Sequence, residues 1–204
     1  LNIPLPSLDE QRRIAKILDL SNKIKLNRLN RLKYLDEILK NHFIEKFGDP
    51  INNPNSFPVG KLKDLYISKN DGVKCGPFGS ALKKDEINSE KGDVKVWTMS
   101  NISISGELVN TFNKWINNDQ FKRLNAYEVI DGDVIISRAG TVGKMCVAKK
   151  FNQKSIISTN LIRLRLGNLL RPQYFVSMLQ YFKGRLGKLK VGQDGSFTHM
   201  STKV

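Results

Sequence analysis

The chain is poor in the side chains that usually carry metal or nucleophilic chemistry. It has two cysteines, Cys75 and Cys146, and two histidines, His42 and His199, among 204 residues. Neither pair shows CxxC or HxxxH spacing, so no zinc site is expected. With neither histidine near a nucleophile elbow, no Ser/His/Asp grouping can be argued. Two cysteines far apart in a chain with no secretory leader read as reduced thiols of a cytosolic protein. No window approaches the roughly 18 consecutive apolar residues of a membrane span. Residue 1 is leucine and no charged-then-apolar leader opens the sequence, which is the start expected of a fragment or trimmed chain.

Carboxylates are missing where they would be least expected. Between Asp133 and Asp194 there is no acidic residue, and residues 137–204 hold thirteen Lys/Arg against one Asp/Glu. Residues 51–136 are balanced at eleven of each, so most of the formal +15 lies in the last third. Folding alone gives no reason to exclude carboxylates there. A polyanion does, because each phosphate neutralised releases counterions. The composition is otherwise that of a folded protein, 40% hydrophobic and 26% charged, and the length suits one domain plus an extended element.

Glycine and proline are absent from residues 7–47. That stretch opens with Ser-Leu-Asp-Glu, a capping box in which Ser7 bonds a first-turn amide and Glu10 reaches back. Asp9 and Glu10 also suit the positive end of a helix dipole. Apolar residues recur at three- and four-residue steps: Ile14, Ile17, Leu18, Ile24, Leu29, Leu32, Leu35, Leu39 and Phe43, with one break of phase after Ile24. Phe47-Gly48 followed by Pro50 is a stop. The spacing predicts one helix of about forty residues, roughly 60 Å long. Propensity cannot hold such a helix alone. Its apolar stripe needs a partner, and the charged remainder is what a two-helix coil exposes.

Residues 51–60, with two prolines and three asparagines, read as linker. Beyond them come short β-type runs at 94–99, 133–137, 145–149 and 155–166. A helical segment then opens at Pro172, its apolar face marked by Tyr174, Phe175, Met178, Leu179 and Phe182. The expected fold class is α+β: a long coiled-coil-type N-terminal helix (1–50), a linker (51–60) and a mixed α/β globular domain (61–204).

Catalytic and cofactor motifs fail on inspection. Gly140-Thr141-Val142-Gly143-Lys144-Met145 is too short for a P-loop, and methionine stands where a magnesium-binding hydroxyl belongs. No GxGxxG occurs. Asp93-Val94-Lys95 has the D-x-K form of some metal nucleases but needs a second converging carboxylate, such as Asp71 or Asp85; ordinary strand-flanking polar residues are the preferred reading. The adenine methyltransferase tetrapeptide is missing. The Gly140–Gly143 pair matches the GxxG with which a KH domain clamps RNA. That loop joins helices, however, and strands flank it here, so a strand–turn–strand fits better. An RNA-binding protein and a helical scaffold whose charge is incidental remain as alternatives.

Five segments in order resemble the specificity (S) subunit of type I restriction–modification systems. IPLPSLDEQRRIAKILD at 3–19 is similar to the start of that family's spacer helix, and LKNHFIEKFGDP at 39–50 to its far end. VKCGPFGSALKKDEI at 73–87 resembles the Gly-x-Phe-Gly-Ser segment of a target recognition domain. DGDVIISRAGTVGK at 131–144 resembles its Gly-Asp-apolar-Ser-Arg-x-Gly-x-x-Gly element, and STNLIRLRL with GQDGSFTHMS its closing strands. A full S subunit carries two such domains and two antiparallel helices, so this chain looks like a half subunit. The resemblance implies a non-catalytic, cytoplasmic protein of a bacterium or archaeon that reads half of a bipartite site in double-stranded DNA. It implies a helix that sets the spacing, pairs with a second spacer helix (by homodimerisation or with a missing half) and docks the methyltransferase subunits. A restriction subunit completes the assembly. S-adenosylmethionine, ATP and magnesium would belong to those partners, with no cofactor or metal in this chain.

The DNA contacts expected from the resemblance are Lys74, Ser80, Lys83 and Lys84 in a first loop, and Arg138, Thr141 and Lys144 in a second. Lys154 and Asn160 follow, with Gln193, Ser196, Thr198 and His199 in a last loop. Gly76, Gly79, Gly140 and Gly143 are expected to shape turns.

Overall fold

The computed structural model describes residues 3–77, 81–138 and 143–186, with Lys84 and residues 181–186 described in backbone only. The chain divides into two compact units, Leu1–Phe57 and Pro58–Val204.

The first unit is a 40-residue helix, α1 (Leu8–Phe47), with a turn after it. Ser7 caps it by accepting from the Glu10 amide at 3.3 Å. Only that half of the expected box forms. Glu10 instead takes both arms of Arg13, at 2.7 and 2.9 Å, because a bidentate ion pair one turn along competes with the single backbone amide. The apolar stripe is open: Ile14, Ile17, Leu18, Ile24, Leu29, Leu32, Leu35 and Leu39 are all exposed, from 42% at Ile14 to 68% at Leu39. Phe43 departs from the expectation. It is buried, and its ring meets that of Phe47 at a centroid distance of 5.0 Å and a tilt of 43°. Residues 48–57 form a hydrogen-bonded turn in which Asp49 accepts from the Ile51 amide, and the Asn53 side chain donates to the Phe57 carbonyl and accepts from the Phe57 amide.

The second unit holds two sheets. Its elements are β1 (Val73–Cys75), β2 (Val94–Trp97), β3 (Trp115–Ile116), α2 (Asn118–Leu124), β4 (Val134–Ser137), β5 (Met145–Val147), β6 (Ser155–Ile157), β7 (Leu161–Leu164) and α3 (Pro172–Leu186). One sheet is antiparallel, in the order β1-β7-β4-β5. The other runs β3-β2-β6, with β2 and β6 parallel. Alternation of side chains sorts the four-stranded sheet. Val134, Ile136, Met145, Ile162 and Leu164 pack with Phe175 and Val176 of α3. Ile135, Cys146 and Leu161 face the opposite way, against Trp97 and Ile157 of the second sheet. That second sheet covers its far face with Phe121 and Leu124 of α2. Burial pushes the Cys146 thiol up to about 12, which makes it an inert core group, and both cysteines are free.

Two expected runs are shorter than the sequence suggests. The 94–99 run stops at Trp97, where Thr98 and Asn101 cap a short 3₁₀ turn reciprocally. The 155–166 run is two strands in different sheets. The chain turns at 158–160, with the Leu161 amide on the Ser158 carbonyl at 3.1 Å.

A charge cluster crosses the first sheet. Arg163, 1% exposed, bonds the Asp71 carboxylate and the Glu128 carbonyl. Arg165 holds the buried Asp133 in a two-pronged pair at 2.8 and 2.9 Å and also reaches Asp71. The cluster ties the turn before β1 and the turn before β4 to β7. Burial alone would raise the Asp71 carboxyl, but bonds and charge from Arg163 and Arg165 outweigh it and hold it below the usual range.

Asp71→Asn is therefore expected to cost about 2 kcal/mol in a urea titration, because Arg163 stays buried with its charge less well matched. A depressed folded pKa gives stability that is complete above the unfolded value, near pH 4, and lost as pH falls through the folded value. The native chain should lose stability more steeply than Asp71→Asn in that acid range. Parallel curves would remove Asp71 from the account.

Candidate nucleic-acid interface

Strand direction brings three loops to one end of the four-stranded sheet. β1 and β7 are antiparallel, with Cys75 opposite Ile162, and β4 pairs with β7 so that Ser137 faces Leu161. The end of β1, the end of β4, the start of β5 and the start of β7 therefore coincide. The segments leaving there are the one after Gly76, the β4–β5 connection, and the 158–160 turn.

Backbone bonds lock these segments together. The Gly76 amide donates to the Leu161 carbonyl at 2.9 Å, and the Arg138 amide to the Asn160 carbonyl at 2.9 Å. The Thr159 hydroxyl donates to the Pro77 carbonyl at 2.7 Å. Gly76 is required by contact: a Cβ there would stand 1.9 Å from the Ser158 carbonyl oxygen, a backbone atom with no room to move. Gly143 is required by conformation, with φ at +83°, and its amide bonds the Ser137 carbonyl at 3.0 Å.

The expected contact residues are distributed unevenly around this end. Lys74 lies on β1, half-buried, and Arg138 is half-buried at the mouth of the β4–β5 connection. Asn160 is exposed at the turn and Lys83 is exposed beside the short 3₁₀ turn Lys84–Glu86. Lys144 belongs to the same end, but its ammonium bonds the Ile102 carbonyl at 3.3 Å, so it also anchors a neighbouring loop. Lys154 is not brought to the others. It precedes β6 while the turn follows it, and its ammonium rests over the Phe121 ring at 4.6 Å. Ser80, Thr141, Gln193, Ser196, Thr198, His199, Gly79 and Gly140 lie outside the described residues, as does the Lys84 side chain.

Three further features were not legible beforehand. Two of the basic residues counted toward a polyanion surface, Arg163 and Arg165, are internal. Asp93 and Lys95 do not form a D-x-K site: Asp93 accepts from the Asn118 amide at 3.2 Å, and the Lys95 ammonium lies over the Phe151 and Phe112 rings at 4.2 and 4.9 Å. Asp71, offered as a second carboxylate, is committed to the arginines. No group of three or more potential metal ligands occurs among the described residues. Beside Lys95 opens a cleft of about 350 Å³ lined by Lys95, Asn110, Lys150, Phe151, Asn152 and Gln153. Among the described residues no helix is long and apolar enough to cross a membrane.

The comparisons speak to the fold. No protein-family model matches the chain, and no curated protein does. Among solved structures, 98% of this chain superposes on 46% of a chain from work on complex assembly and conformational transition of the type I R-M system, with a TM-score of 0.55 and 20% identity. The HsdS subunit from Thermoanaerobacter tengcongensis matches 97% of this chain over 47% of its own length, with a TM-score of 0.51 and 23% identity. The fold is that of HsdS. The chain spans less than half the length of these two neighbours, and the long helix followed by a mixed-sheet domain is the architecture shared.

Gly76→Ala is expected to cost about 2 kcal/mol or more by overpacking, and to expose the Gly76 amide to hydrogen exchange. Gly60→Ala, where the nearest atoms stand 3.9 Å away, is the control. Equal stability of the two variants would mean that the 158–160 turn is not held in register by β1.

Proposed function

We propose that this chain is the DNA-reading half of a type I specificity subunit. One observation carries the reading: on an HsdS fold, three loops converge at one sheet end, two of them from a stretch with no acidic residue between Asp133 and Asp194. The interface residues would divide into phosphate contacts that position the domain and polar groups that read base edges in the major groove. Lys83 and Lys74 suit the first role by charge. Arg138 and Asn160 suit the second, since guanidinium and amide groups form two-pronged bonds with guanine and adenine.

The helix α1 would act as a ruler. Its open stripe calls for a second spacer helix, from another copy or from the other half of a longer subunit. Modification subunits gripping the helix would bring S-adenosylmethionine, and a restriction subunit would bring ATP and magnesium. On this reading the chain itself does no chemistry.

Methylation mapping in a host carrying the full system would supply the target duplex. Against it, Arg138→Ala should cost about 1–3 kcal/mol and relax specificity at one position. Lys83→Ala should weaken all duplexes alike and make the salt dependence shallower by about one unit. Lys154→Ala should do less than either. No preference of the assembled complex for that duplex over random DNA or RNA at physiological salt would sink the proposal.

Helix pairing has its own test. Sedimentation of the chain should show a dimer that Leu32→Glu with Leu35→Glu converts to monomer, since both side chains are exposed and neither supports the fold. A monomeric native chain with an ordered helix would contradict pairing between copies.

A further inference from the structure

We propose that the cleft beside Lys95 is a binding site for a phosphate group, apart from the three-loop end of the sheet. The cleft lies before β6 and the loops follow it, so a strand of three residues, about 10 Å, separates them.

The lining selects the ligand. Pockets for apolar ligands are lined mostly by hydrophobic side chains. This one has two lysines, three side-chain amides and one phenylalanine. Its volume of about 350 Å³ is some ten times the share of one water molecule, enough for a phosphate and the groups esterified to it. Lys150 is exposed at the cleft. Gln153 is fixed in place by its amide, which donates to the Gly92 carbonyl at 3.3 Å.

Lys95 supplies the need for an anion. Its ammonium has three N–H donors, and the two rings beneath it offer π faces, which attract the charge but accept hydrogen bonds poorly. None of the ion pairs among the described residues involves it, and the nearest acid in sequence, Asp93, is engaged by the Asn118 amide. Burial, and secondarily the charge of Lys91, lowers the Lys95 pKa, so the charged form lacks compensation until oxyanion acceptors arrive. The rings hold the ammonium in position, which reduces the ordering cost of binding.

The phosphate could be a DNA backbone group, which would rest on the reading proposed above, or a free phosphate ester. The experiment separates them. Thermal unfolding of the full chain is followed in inorganic phosphate against chloride at matched ionic strength, for the native chain, Lys95→Gln and the surface variant Lys150→Gln. Binding to a random-sequence duplex is measured across salt for the same three. Phosphate should raise the native midpoint beyond chloride, and each variant should lose most of that shift. If the variants also make the duplex salt dependence shallower by about one unit, the site holds backbone phosphate. If the duplex data are unchanged, it holds a free ester. The site also stands, and the DNA reading falls, if phosphate acts through Lys150 but the native chain binds no duplex. Equal midpoints in phosphate and chloride, with salt dependences equal across all three proteins, overturn the proposal, and leave the DNA reading intact if the duplex is bound. Lys150→Gln keeps the test valid if Lys95→Gln does not fold.

Discussion

The three-loop end of this domain depends on neutralising two arginines inside it. Arg163 sits on β7, between β1 and β4, and Arg165 just past its end, where an unpaired charge would cost several kcal/mol. Asp71, Asp133 and the Glu128 carbonyl supply the compensation, and the two carboxylates stand just before β1 and β4. The same bonds therefore fix the turns that launch β1 and β4. Those strands end at Cys75 and Ser137, where the three loops begin. A buried ion cluster is weak evidence for net stability, since apolar packing often does as well. Here its geometric role is plain: it sets which strand ends meet.

The sheet switch at 158–160 is the second constraint. β6 belongs to one sheet and β7 to the other, joined by three polar residues. A connection that short leaves no slack, so the sheets must approach closely, and Gly76 meets the turn with no space for a side chain. The hydrophobic layer of Trp97, Ile135, Cys146, Ile157 and Leu161 fills what lies between. Backbone bonds from Gly76 and Arg138 to this turn hold the segments together, the fixed base that the proposed reading of base edges would need.

What could be read from the sequence follows from which signals are local. Helix α1 was legible almost to the residue, because a gap in Gly and Pro, a cap and a stop all lie within its own stretch. Strand positions were legible from apolar runs, but their ends were not. The Thr98–Asn101 cap depends on a turn closing on itself, and the break at 158–160 is hidden in an apolar run that a single buried strand would share. The aromatic seat of Lys95 joins residues 95, 112 and 151 and leaves no trace in any window. Gly76 was singled out as a turn glycine, and only the fold shows that a Cβ there would meet the Ser158 carbonyl.

Thirteen basic residues in the last third suggested a polyanion surface. Arg163 and Arg165 leave that count because the core uses them, and Lys154 is seated on an aromatic ring away from the converging loops. What remains is less a surplus of cations than a lack of carboxylates. The two acids that neutralise the core arginines, Asp71 and Asp133, come from outside the acid-free stretch. Among the described residues, that stretch exposes Lys149, Lys150, Asn152, Lys154, Asn160, Arg171, Gln173 and Ser177 without a single acidic side chain. Excluding carboxylates lowers the repulsion a polyanion would meet at every exposed position, including those that make no direct bond. Under the proposed DNA reading, that would account for an absence extending over sixty residues, beyond the few side chains that any one loop can bring to a duplex.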